Sequence, residues 1–256
     1  MTKLQKVSLY AFCAFVVLAI ALSYLMGATL FTDRGKPWHM QPFVDADSLT
    51  AEYADNYKLI DRRSLFGVFA DSSRLTVSIL VDAWGVPFEL QHLREDFSMF
   101  EGLPHKEYLH YRLANRTRHA EFAELRIVAD SSVPQNGIYL FGGDSLEYGR
   151  NLYVGSLGYA ERVFCQRCAD SLMLGKLDSI LSLATDSLPL QIALTTQDSR
   201  TGDRAKLHAT LRLIAGVAKK YPKVQFIVQG THRPTLGDPK IRRESFTHWV
   251  PALTIN

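Results

Sequence analysis

Lys223-Val224-Gln225-Phe226-Ile227-Val228-Gln229 runs directly into Gly230-Thr231-His232-Arg233-Pro234. An apolar, β-branched run that halts at a glycine predicts a strand delivering a polar pair, Thr231 and His232, to the edge of a sheet. That edge is where open α/β folds build their sites. The same pattern recurs upstream, where residues 74–81 form an apolar run that Asp82-Ala83-Trp84-Gly85-Val86-Pro87 brings to a stop. Further strands are predicted over 137–143, 188–195 and 247–255.

Helical spacing fills the intervals. Residues 90–101, 117–129 and 160–184 read as helices, and over 203–220 Leu207, Leu211, Ile214 and Val217 share one face. Strands separated by helices predict an α/β domain with a mostly parallel sheet flanked by helices. With 256 residues, 47% of them hydrophobic and 21% charged, the chain has material for one sizeable core.

The N-terminal part answers to a different solvent. From Ser8 to Phe31 no residue is charged, and roughly 20 apolar residues in a helix cross a bilayer core of about 30 Å. Lys3 and Lys6 precede the run and favour a cytoplasmic N-terminus. A cleaved signal peptide is the competing reading, but the run is long for an h-region and Met26-Gly27-Ala28 is a poor cleavage site. The expected organisation is a cytoplasmic N-terminus over 1–7, a transmembrane helix over 8–31, a linker or stalk over 32–72 and an extracytoplasmic domain over 73–256. Within the stalk, 47–63 reads as a helix carrying Tyr53, Tyr57 and Ile60. The expected location is the cytoplasmic (inner) membrane, single-pass.

A net charge of +3 with no Lys/Arg block excludes nucleic acid as a partner. Of the three cysteines, Cys13 lies in the apolar run and Cys165-Gln166-Arg167-Cys168 forms a CxxC pair. Zinc needs four ligands, and no second CxxC exists. A local disulfide or two small structural residues fits that spacing better than redox catalysis.

Taken in order, Asp82 with Trp84-Gly85, Thr117-Arg118-His119-Ala120-Glu121-Phe122, Tyr148-Gly149-Arg150, Leu157-Gly158-Tyr159, Leu194-Thr195 and Gly230-Thr231-His232 resemble the alkaline phosphatase and sulfatase superfamily. The likeness is strongest to its membrane-anchored phosphoethanolamine and phosphoglycerol transferases. It implies an alkaline phosphatase-like fold, a metal ligand at Asp82, a nucleophile at Thr117 and a second ligand at His232. In such a site a metal activates the hydroxyl for attack on phosphorus. The departures are specific: Thr231 stands where the family carries Asp, and Thr196-Gln197-Asp198-Ser199 where it carries His. Asp198, Asp144 and Asp238 are the acids available to substitute. The implied cofactor is zinc or manganese if the site functions, and none otherwise.

Each residue has a plainer reading. Asp82 suits a turn cap at Gly85; Thr117 suits a helix N-cap and completes the sequon Asn115-Arg116-Thr117; His232 suits loop carbonyls. Arg116, Arg118 and Arg233 form either an anion-binding rim or a solvated surface. The leading expectation is a degenerate, pseudoenzyme-like domain that binds or assists modification of an envelope glycan or lipid, with membrane enzymes as partners. An active transferase using Thr117 and a non-catalytic interaction module are the alternatives.

Overall fold

The computed structural model describes residues 3–26, 49–61, 64–70, 73–112, 116–126, 137–184, 191–236 and 244–256. The chain divides into two units, Met1–Asp45 and Ala46–Asn256. The first contains helix α1, Lys3–Met26, whose Phe12, Phe15, Val17, Leu18 and Ile20 are exposed. Among the described residues no helix is long and apolar enough to cross a membrane. The expected span of 8–31 continues past Met26 into residues outside the described set, as does most of the expected linker.

The second unit is built on one eight-stranded sheet. Its elements are α2 (Ala51–Asn56), β1 (Lys58–Asp61), α3 (Leu65–Phe69), β2 (Thr76–Val81), α4 (Leu90–Ser98), β3 (His105–Tyr111), α5 (Thr117–Glu124), β4 (Gly137–Phe141), α6 (Arg150–Tyr153), β5 (Glu161–Phe164), α7 (Asp170–Leu183), β6 (Gln191–Thr195), α8 (Arg204–Lys220), β7 (Gln225–Gly230) and β8 (Trp249–Ile255). Strand order is β1-β3-β8-β7-β2-β6-β4-β5. Only β8 runs against its neighbours, β3 and β7. The other strands therefore point the same way, and the loops after β2, β3, β6 and β7 emerge at one edge.

The pleat sorts the core. In β2, Val77, Ile79 and Val81 join α4, α7 and α8 on one face through Leu93, Leu177 and Leu211. Leu80 points the other way, into a cluster with Ala120 of α5, Tyr139 and Leu157. A third cluster brings Leu65 of α3 against Tyr108, Ile227 and Ala252. A sheet buried on both faces explains why all six residues of β2 are buried, the continuous apolar pattern of parallel strands.

Three strands escape the sequence pattern. The helix predicted over 47–63 is confined to Ala51–Asn56, because Lys58–Asp61 turns extended and pairs in parallel with Tyr108–Tyr111 of β3. Nor is this stretch a stalk: Tyr53 and Tyr57 are buried in the core. The Tyr53 hydroxyl donates to the Pro87 carbonyl at 2.6 Å, and burial pushes its pKa up to about 12. Within the helical stretch predicted over 160–184, Glu161–Phe164 is instead edge strand β5, pairing with β4.

Candidate functional site

β2 ends at Val81, and Asp82 and then Ala83, with φ 57°, follow it. A left-handed alanine is uncommon outside tight turns and functional sites. It turns the chain so that Trp84 and Gly85 pass against the loop after β7. Gly85 has no room for a side chain, since a Cβ would sit 2.6 Å from Arg233 Cα, and a Cβ on Gly230 would overlap the Trp84 carbonyl oxygen. Two glycines thus let the ends of β2 and β7 close on each other and bring Asp82 beside Thr231 and His232.

Thr117 arrives from the other side as the first residue of α5. The N-cap position belongs to Arg116 and carries no side-chain cap, so the Thr117 hydroxyl is not capping the helix. It donates to Asp82 Oδ1 at 2.8 Å and lies 3.1 Å from His232 Nε2. His232 Nε2 is itself 3.4 Å from Asp82 Oδ1, while Nδ1 donates to the Arg233 carbonyl at 2.5 Å. That second bond fixes the ring plane and aims Nε2 at Thr117. All three residues are buried.

The remaining neighbours of Asp82 are hydroxyls. Thr231 donates to the same Oδ1 at 2.8 Å and accepts from the Ala83 amide at 3.1 Å. Ser199 donates to the Asp82 carbonyl at 2.5 Å, and Thr196 accepts from the Asp82 amide at 3.1 Å. Thr117, Thr196, Ser199 and Thr231 therefore surround one aspartate from two loops and one helix start. Asp82 is not capping Gly85: its Oδ1 faces these hydroxyls.

The residues do not suit a divalent cation. Zinc sites assemble three or four anionic or imidazole donors, and among the described residues no group of three or more His, Cys, Asp or Glu can hold a metal ion. Here one carboxylate and one imidazole face neutral hydroxyls, and Asp82 Oδ1 already accepts two hydrogen bonds. The acids considered as substitutes lie elsewhere. Asp198 accepts from the Asp170 amide at 2.9 Å, Asp144 accepts from the Leu146 amide and Gln166, and Asp238 is outside the described residues.

The arginines expected at an anion-binding rim differ in exposure and contacts. Arg233 is buried and Arg116 is exposed, while the Arg118 guanidinium lies over the rings of Phe122 and Tyr153, 5.7 and 4.8 Å from their centroids. Cys165 and Cys168 are joined in a disulfide. Sequence reasoning missed Thr196 and Gln197 as partners of the site, and also Asp170, whose carboxylate accepts from the Gln197 and Asp198 amides and from Thr210. Burial raises the Asp170 pKa from 3.8 to about 6 against those hydrogen bonds. Thr196 and Gln197 were signalled only by proximity to Ser199, and Asp170 by nothing in the sequence pattern.

Beneath Thr117, two glutamates anchor α5. Glu121 accepts from Arg150 at 2.8 Å, from Tyr139 at 2.8 Å and from Tyr153. Burial and Glu121 together raise the Tyr139 and Tyr153 hydroxyls. Glu124 accepts from Arg112 at 3.2 Å and from the Leu65 amide at 2.8 Å.

The fold that carries this arrangement, a mostly parallel sheet flanked by helices, has counterparts among solved structures. An alkaline phosphatase superfamily protein from Vibrio parahaemolyticus aligns over 73% of this chain and 61% of its own, with 14% identity and a TM-score of 0.54. The fold is that of the alkaline phosphatase superfamily. The lipoteichoic acid synthase LtaP from Listeria monocytogenes shares it over 73% of this chain and 66% of its own, at 8% identity and a TM-score of 0.51. The chain thus spans less than two thirds of either superfamily protein. Its sequence matches no protein-family model and no curated protein.

Proposed function

We propose that this chain is a membrane-tethered, extracytoplasmic domain that keeps the alkaline phosphatase superfamily fold without its metal-dependent turnover. It binds a phosphate-bearing envelope glycan or lipid, or assists the enzymes that modify one. The observation that carries this reading is the double hydrogen bond from Thr117 and Thr231 to Asp82 Oδ1. Both hydroxyls converge on one carboxylate oxygen, and a cation beside it would gain only Asp82 and His232 among the described residues, fewer than the three or four anionic or imidazole donors of a zinc site. The tether is supported by the uncharged run that begins in α1, and the exported side by Lys3 and Lys6 and by the Cys165–Cys168 disulfide. An envelope role also agrees with the lipoteichoic acid synthase among its structural neighbours.

One observation favours a second reading, an active phosphoryl transferase: His232 Nε2 stands 3.1 Å from the Thr117 hydroxyl, within reach for a base and its nucleophile. Incubating the full chain with phosphoethanolamine- or phosphoglycerol-bearing lipids and zinc or manganese separates the two. Mass spectrometry is expected to find Thr117 unmodified. A phospho-Thr117 adduct that disappears in Thr117→Ala would establish turnover instead.

A further inference from the structure

The loop carrying Thr196 and Ser199 is held from behind by a CxxC disulfide. Gln197, buried between those two residues, donates through Nε2 to the Cys168 carbonyl at 2.6 Å and to the Gly142 carbonyl at 2.9 Å. The Gly142 carbonyl also accepts from the Cys168 amide at 2.8 Å, and the Cys165 amide donates to Phe141 at 3.1 Å. The disulfide loop is therefore stitched to the end of β4, and Gln197 reads the position of its last residue. The fit is close: a Cβ on Gly142 would meet the Cys168 oxygen at 2.7 Å and Gln197 Nε2 at 3.1 Å.

From Gln197 the connection to the site is short. One residue before it, Thr196 accepts from the Asp82 amide; two residues after it, Ser199 donates to the Asp82 carbonyl. We propose that the Cys165–Cys168 disulfide is a redox-sensitive latch, which fixes the Cys168 carbonyl on Gln197 and thereby locks the loop that grips both backbone polar groups of Asp82. Both sulfurs belong to partly exposed residues, and the intervening Gln166 and Arg167 are exposed, so a small dithiol reaches the bond. Arg167 sits at φ 59°, a left-handed conformation that is unfavourable for a non-glycine residue. The cross-link restrains the loop in that conformation, and without it the loop gains freedom to relax. A dithiol thiolate attacks one sulfur, the S–S bond breaks, both cysteines leave as thiols, and the reductant closes to its own disulfide. The latch does not depend on what the site binds.

Hydrogen exchange on the full chain in detergent, oxidised against dithiothreitol-reduced, tests the proposal. Reduction is expected to speed exchange over Thr196–Ser199 by at least about tenfold, the size of a lost local opening energy of about 1.4 kcal/mol, with β2 and β7 unchanged. The Cys165→Ser/Cys168→Ser variant should match the reduced protein. Gln197→Leu should be fast in both redox states. Equal exchange in the two states, or loosening that spreads through the whole sheet, would overturn the latch.

Discussion

At the scale of single residues the site turns on Thr231, which stands where the resemblance calls for a carboxylate. Its hydroxyl bridges Asp82 Oδ1 and the Ala83 amide, donating to one and accepting from the other, which an ionised carboxylate at this position could not do. Thr231→Val keeps the shape and leaves a buried amide and carboxylate short of a partner. It should lower stability by about 1–3 kcal/mol, read as a shift in urea midpoint. Gly230→Ala should be harsher, because its Cβ would overlap a backbone oxygen that cannot swing away. Asp82, Thr231 and His232 were legible from strand ends and a glycine, whereas Thr117 and Ser199 were singled out only by the family resemblance. The geometry joins them. Thr196, Gln197 and Asp170 were not legible, because their importance lies in backbone hydrogen bonds that no residue pattern encodes.

At the scale of elements, α5 is short and is held by its two buried glutamates rather than by caps. Glu121 and Arg150 are both fully buried, so removing one partner strands the other. Arg150→Met should destabilise by about 3–5 kcal/mol, while pairing it with Glu121→Gln should cost less than the sum of the two single changes. The start of α7 carries a pH signature. Burial holds the Asp170 pKa near 6 against an ordinary 3.8, so between those values the folded protein binds more protons than the unfolded chain. Stability should therefore fall as pH rises through that window, by up to about 3 kcal/mol, and level off above it. Asp170→Asn should flatten this slope in urea titrations run at successive pH values. Elements with apolar runs, such as β2, β6 and β7, were readable from sequence. β1, β3 and β5 were not, because edge pairing stabilises Lys58–Asp61 and Glu161–Phe164 despite charged residues, and β3 buries His110 beside Tyr108 and Leu109.

At the scale of the whole molecule, one mostly parallel sheet gathers four strand ends at a single edge, and the first unit stands as a separate segment. Removing residues 1–45 should release a chain that still unfolds cooperatively, while the full chain stays with the membrane fraction after carbonate extraction. The alternation of strands and helices disclosed this architecture because local periodicity survives without knowledge of the tertiary contacts; the hydrogen bonds that join Thr117 and Thr231 to Asp82 required those contacts. In the proposed reading hydroxyls, and not a cation, hold Asp82 Oδ1. Titrating zinc into the full chain by calorimetry, beside Asp82→Asn, separates that reading from a working metal site. No saturable binding that depends on Asp82 is expected; one zinc per chain, bound by the natural protein and lost in Asp82→Asn, would overturn it.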